Sequence, residues 1–160
     1  MKHLKRFLKI RVYKIPHRTT VVLFVTAIIG FVDSAYLTIE HYMNAIPPCG
    51  VGDCELVLTS AYAAIGPFPV ALLGALYYFA ICGLLFAYFD TKHHWPLNVA
   101  LFATVIGFAA ELWFVFLQFF VIQAICQYCM ISAVTAIVLF VVAMHALAKY
   151  SSSPTISEVL

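Results

Sequence analysis

Five cysteines mark the 160-residue chain, and four of them fall into two pairs. The first pair reads Cys49-Gly-Val-Gly-Asp-Cys54 and the second is a CxxC, Cys126-Gln-Tyr-Cys129. Closely spaced dithiols suit thiol–disulfide exchange, in which a thiolate attacks one sulfur of a disulfide and the other sulfur leaves. Gly50 and Gly52 let a short ring close between Cys49 and Cys54 without strain, and Pro47-Pro48 stiffens its entry. At a helix start Cys126 and Cys129 stand one turn apart, close enough to bridge, and the helix N-terminus raises the thiolate fraction of the first thiol. Two plainer readings stand beside this one. The loop pair alone reads as a structural staple, and the four sulfurs together as a zinc–thiolate site, although zinc knuckles usually come from small polar domains. Cys82 lies inside an apolar stretch beside Gly83 and reads as a small packing residue.

The elements that must position these sulfurs follow from composition. The chain is 64% hydrophobic and 10% charged, against about 45–50% and about 25% in soluble domains. It reads as an all-α integral membrane protein, a bundle of four transmembrane helices. The spans fall at about 19–43, 68–89, 97–122 and 127–148. Residues 97–148 are almost unbroken in apolar character. As one helix they would reach about 78 Å, against a hydrocarbon core of about 30 Å. They must fold back, and the polar cluster Gln123 to Tyr128 is where the reversal is expected, with no Gly or Pro to mark it. Residues 55–65 (ELVLTSAYAAI) carry helical apolar spacing, are too short to span, and end at Gly66-Pro67. They read as an interfacial half-helix after the first outer loop.

Charge sets the orientation. All nine Lys and Arg residues fall on one side of a four-span chain: Lys2, Lys5, Arg6, Lys9, Arg11, Lys14 and Arg18 before span one, Lys92 between spans two and three, and Lys149 after span four. The positive-inside rule makes that side, with both termini, cytoplasmic. The loops that carry the cysteine pairs hold no Lys or Arg, and they face the opposite, disulfide-permissive side. Residues 1–18 read as a basic cytoplasmic arm on an anionic leaflet rather than a nucleic-acid binder or a cleavable signal peptide. Residues 19–148 form the membrane domain, and 149–160 a short polar tail. The many Phe and Tyr residues mostly suit lipid-facing and interfacial belts.

Two acids lie deep in the apolar segments, Asp33 in span one and Glu111 in span three, at a shared depth of about 21 Å from the cytoplasmic start. A charge at mid-bilayer costs about 2.5–3.5 kcal/mol. The pair therefore reads either as a proton route or as a protonated, hydrogen-bonded packing pair. Glu40 and His41 at the outer end of span one suit an interfacial role, and His93 and His94 sit in a short cytoplasmic loop far from the cysteines.

Taken together, the loop pair, Ser60 six residues after Cys54, the Gly66-Pro67 turn into span two and a CxxC opening the last helix resemble the bacterial vitamin K epoxide reductase homologues. Asp33–Thr38 (DSAYLT) in span one looks like the same family, and the resemblance covers residues 20–148. It implies a quinone-dependent thiol–disulfide oxidoreductase that reoxidises a thioredoxin-fold partner. Cys126 and Cys129 would be the active-site pair beside the quinone (ubiquinone or menaquinone), and Cys49 and Cys54 the shuttle pair. Ser60 would help to position the loop helix. Phe68, Val70, Leu73, Phe114, Leu117, Gln118 and Ala133 are candidates for the quinone pocket. Many bacterial homologues carry a fused thioredoxin-like domain; none is read here, so the implied partner is a separate DsbA-like protein on the outer face of a bacterial cytoplasmic membrane. Two departures bear on the substrate. The mammalian enzymes carry an Asn near the start of the second helix and a Tyr four residues after the CxxC. Here the first region reads Gly66-Pro-Phe-Pro-Val70 and the second position is Ala133, so vitamin K epoxide is not the expected substrate.

Three alternatives are distinguishable. A DsbB-like enzyme shares the chemistry but places its CxxC in the first outer loop, the reverse of the order here. A metal-binding (zinc–thiolate) membrane sensor would retain zinc through the cysteines. A structural four-helix protein with ordinary disulfides would lose stability, not catalysis, when Cys126 is replaced.

Overall fold

The computed structural model of the protein describes residues 11–12 and 15–152. Most of the basic arm and the tail beyond residue 152 lie outside the described residues. Four helices are long and apolar enough to cross a membrane. They are α1 (His17–Tyr42), α3 (Val70–Thr91), α4 (His94–Phe116), which runs on as a π-helical segment (Leu117–Ile122), and α5 (Gln127–Tyr150). At about 1.5 Å per residue each exceeds the ~30 Å of a hydrocarbon core. The short helix α2 (Cys54–Leu58) lies between α1 and α3. Short strand pairs complete the fold: β1 (Arg11–Val12) with β4 (Ser151–Ser152), and β2 (Ala64–Ile65) with β3 (Phe68–Pro69), both antiparallel.

Helix α1 lies against α3 and α5, and α4 against α3 and α5. The core between them is built from Leu23, Ala27, Tyr78, Ile81, Leu85, Leu101, Leu139 and Ala143. The outward faces stay apolar: Val32 is 60% exposed, Phe86 65% and Ile106 72%. A soluble domain does not present such a surface on every helix, whereas lipid solvates it.

Small residues let the helices approach and seat two tyrosines at mid-bundle. A Cβ on Gly30 of α1 would strike the Tyr78 ring, and one on Gly107 of α4 would strike the Tyr77 hydroxyl. Tyr77 donates to Ala103 O at 3.3 Å, tying α3 to α4. The Tyr78 hydroxyl meets Thr135 Oγ1 at 2.8 Å and Ser132 O at 3.1 Å, tying α3 to α5. Tyr78 is therefore interior and Tyr77 partly buried, and the glycines opposite leave room that the aromatic pattern alone does not show.

The span ends fall close to expectation, and the differences have local causes. Helix α4 starts at His94 because Pro96 sits in its first turn, where a missing N–H costs nothing. Helix α2 stops at Leu58 rather than running to residue 65. Ser60 Oγ donates to Val57 O at 2.7 Å and Thr59 Oγ1 to Glu55 O at 2.7 Å, so side-chain hydroxyls take the last carbonyls. The chain then turns at Gly66-Pro67 between β2 and β3 and enters α3 behind Pro69. The reversal after α4 needs neither Gly nor Pro. The π-helical segment ends with Gln123 in the left-handed region (φ 56°), and Ala124 N donates to Gln118 O at 3.1 Å.

Candidate active site

The loop cysteines and the CxxC meet at one end of the bundle. Cys49 and Cys54 form a disulfide with their Cα atoms 5.8 Å apart, while Cys126 and Cys129 are free thiols. The Cys49–Cys54 ring docks by its backbone on the turn before α5. Gly52 forms an antiparallel bridge with Cys126, and Asp53 N donates to Ile125 O at 2.9 Å. The fit depends on glycine: Gly52 has φ 88°, and a Cβ there would overlap the Ile125 carbonyl oxygen. Asp53 then caps α2, accepting from Leu56 N at 3.1 Å.

Burial separates the four sulfurs into two roles. Cys54 and Cys126 are both fully buried, in one cluster with Val57 and Ala124, with Cys49 and Cys129 packed against it. Cys49 is half-buried and is the solvent-facing end of the disulfide. Cys129, one turn into α5, lines a cavity of about 780 Å³. The sulfurs thus run from an accessible disulfide, through a buried contact, to the wall of a cavity.

Cys126 is held by its backbone and tuned by its neighbour. Its N–H donates to Gln118 Oε1 at 2.9 Å, so the π-helical segment delivers a side-chain acceptor to the CxxC turn. The Cys129 S–H donates to it and holds the Cys126 thiol below the ordinary range, at about 6, with the Cys129 and Tyr128 backbone adding to the effect and burial opposing it. The first thiolate of the reduced pair should accordingly form as the pH rises through about 6, against about 8.5 for an unperturbed cysteine. Ultraviolet thiolate absorbance of reduced protein checks this. Cys129→Ala should move the midpoint upward, and an unmoved midpoint would refute the hydrogen bond as its cause.

The cavity lies among α1, α3, α4 and α5, with residues 57–65 over it. Of the pocket candidates, Val70, Leu73, Phe114, Leu117 and Gln118 line it, as do Ser60, Asp33 and Glu111. Phe68 and Ala133 are not among its lining: Phe68 is on β3 and 54% exposed, and Ala133 is buried in α5. Sequence reasoning missed Tyr77, Tyr78 and Ser132 as lining residues. Ser132 was open to detection, because it stands three residues after Cys129 on the same helical face. Its hydroxyl donates to Glu111 Oε1 at 2.6 Å. Asp33 Oδ2 is buried with no hydrogen-bond partner, an unsatisfied acceptor in a wall that is otherwise largely apolar. Glu40 and His41 also reach the cavity wall.

Among the described residues, no group of three or more His, Cys, Asp and Glu side chains is placed to hold a metal ion. A largely apolar cavity of this volume suits an apolar molecule of ordinary ligand size. The orphaned Asp33 oxygen and the Glu111–Ser132 pair are polar groups in the residues that line the cavity.

A four-helix bundle of this kind, with a disulfide docked on a dithiol at the edge of an apolar cavity, defines an integral membrane redox protein. Residues 21–144 match the vitamin K epoxide reductase family, and the chain belongs to it. It is an oxidoreductase of that kind, a class linked to quinone-type electron carriers and thioredoxin-like proteins. No curated protein matches the chain.

Proposed function

We propose that the protein is a quinone-dependent thiol oxidase that reoxidises a separate thioredoxin-fold, DsbA-like partner at the outer face of a bacterial cytoplasmic membrane. Both termini are then cytoplasmic, and ubiquinone or menaquinone is the oxidising substrate. The observation that carries the proposal is the order of the four sulfurs, from half-exposed Cys49, through buried Cys54 and Cys126, to Cys129 on the cavity wall.

A partner thiolate attacks Cys49, since Cys54 is fully buried. The loop disulfide opens, and the partner's second thiol resolves the mixed disulfide. The partner leaves oxidised and both loop thiols are reduced. Cys54 then attacks Cys126 of an oxidised Cys126–Cys129 pair and Cys129 leaves as a thiolate. Cys49 attacks Cys54, the loop disulfide reforms, and Cys126 is released. The inner pair now holds two electrons. Closing the Cys126–Cys129 disulfide gives up two electrons and two protons, which convert quinone to hydroquinone. Ser60 positions α2 through its bond to Val57 O.

Glu111, with Ser132, and Asp33 move those protons, a role supported by their position on the cavity wall. Glu111→Gln keeps an acceptor for Ser132 but removes the titrating carboxyl. It is expected to slow quinone reduction by roughly a hundredfold, the usual scale for a lost proton donor. Steady-state quinone reduction measures this, and an unchanged rate would assign Glu111 to packing. The function itself is tested by mixing the purified protein with a reduced thioredoxin-fold protein and a quinone. Partner thiols should disappear faster than in the absence of the protein; equal rates refute the reading.

A further inference from the structure

The two residues between the CxxC sulfurs are turned toward the loop disulfide. Gln127 Oε1 accepts from Gly50 N at 3.0 Å and Val51 N at 3.2 Å, and its Nε2 donates to Pro48 O at 3.4 Å. The Tyr128 hydroxyl donates to the same carbonyl at 2.9 Å. All four bonds go to residues 48–51, the part of the ring that carries Cys49. The Tyr128 ring rests against Tyr36 of α1, with centroids 5.5 Å apart, so the grip is braced on a membrane-spanning helix.

These contacts are separate from the backbone docking at Gly52 and Asp53, which holds the opposite limb of the ring. One limb is thus fixed by main chain and the other by two side chains. Only the second is made by side chains that a substitution can remove. Glutamine suits the place because one amide supplies the acceptor that two N–H groups need and the donor that a carbonyl needs. Leucine has the bulk and neither function.

Resting on the exchange reaction above, we propose that Gln127 and Tyr128 are positioning residues that clasp the Cys49–Cys54 ring onto Cys126 for the internal disulfide exchange. Neither side chain needs to touch a reacting sulfur. They limit the excursions of the ring, so that the Cys54 and Cys126 sulfurs stay in register while electrons pass between the pairs. Thiolate attack needs a defined line of three sulfurs, and small displacements are costly to such a step. A clasp that sits within the CxxC itself also ties loop position to the start of α5, where the inner thiols lie.

The test separates the two half-reactions by rapid mixing. The full chain is first reduced at the loop by a thioredoxin-fold protein, with the inner pair oxidised, and the appearance of the Cys49–Cys54 disulfide is then followed by quenched alkylation and mass analysis. Gln127→Leu should slow this internal step by about tenfold, the factor expected from losing one or two net hydrogen bonds. The slowing should be confined to that step and absent from the partner's attack on the loop. Gln127→Glu keeps the acceptor for Gly50 and Val51 and should recover most of the rate. Tyr128→Phe removes a single hydroxyl and should slow the step a few-fold; it decides the matter if Gln127→Leu fails to fold. Equal slowing of both half-reactions, or no recovery with Gln127→Glu, would overturn the clasp and assign these residues to general stability. Wild-type protein that oxidises no partner would instead defeat the functional reading, so the two failures are told apart.

Discussion

Replacing Cys129 with serine is expected to abolish quinone-dependent turnover and to leave a Cys54–Cys126 disulfide in its place. Cys126 is packed in one buried cluster with Cys54. In the variant Cys126 can still attack Cys54 of the closed loop, releasing Cys49. Serine cannot then expel Cys54 from Cys126, so the adduct accumulates. Partner oxidation should fall to the rate seen without protein. Non-reducing peptide mapping reads the adduct directly. An intact Cys49–Cys54 disulfide with a free Cys126 thiol would contradict the contact on which the relay depends.

The second large effect is expected at Gly52. It lies far from the cavity in chemical terms, having no side chain at all, yet it sets the distance between loop and CxxC. An alanine there meets two obstacles: φ of 88° disfavours any Cβ, and that Cβ would overlap the Ile125 carbonyl oxygen, which is backbone and cannot rotate away. The strain at such a position is about 1–3 kcal/mol. The loop is expected to lift from the turn rather than the turn to rebuild, because Cys126 is also held by Gln118. Displacement by about 1 Å can cost a reaction about a hundredfold. Gly52→Ala should therefore lower internal transfer on that scale while the four spanning helices remain folded, and it should open the Cys126 thiol to a thiol reagent. Differential alkylation with a helicity measurement checks both. Transfer at the wild-type rate would show that the Gly52–Cys126 bridge is incidental.

Much of the fold was legible because lipid imposes a simple constraint. Long apolar runs, their lengths and the one-sided Lys and Arg pattern give four helices and put the two cysteine-bearing loops at the same end, within a few residues of α1, α3, α4 and α5. Side-chain periodicity along one element says less about contacts between elements. Gln127 and Gly50 lie 77 residues apart and meet only after the bundle has formed. Gln118 was read as a pocket residue, which it is, but its acceptor bond to Cys126 N depends on a π-helical turn that no residue type announces. Tyr78 is 1% exposed because Gly30 opposes it across two helices, a fit that its residue type does not announce. The half-helix ended early for a reason that was present in the sequence: Thr59 and Ser60 bond back to α2 and compete with its continuation. Phe68 and Ala133 are expected at the pocket only as residues near the outer ends of the spans, and neither lines it.

The order of electron flow is tested most directly by a single turnover. Protein with all four redox cysteines reduced is mixed with one equivalent of quinone, quenched at intervals, and its disulfides are mapped. The Cys126–Cys129 disulfide should appear first, with the Cys49–Cys54 disulfide growing as the first declines. A loop disulfide that forms first, or an inner pair that stays reduced while quinone is consumed, would contradict the route.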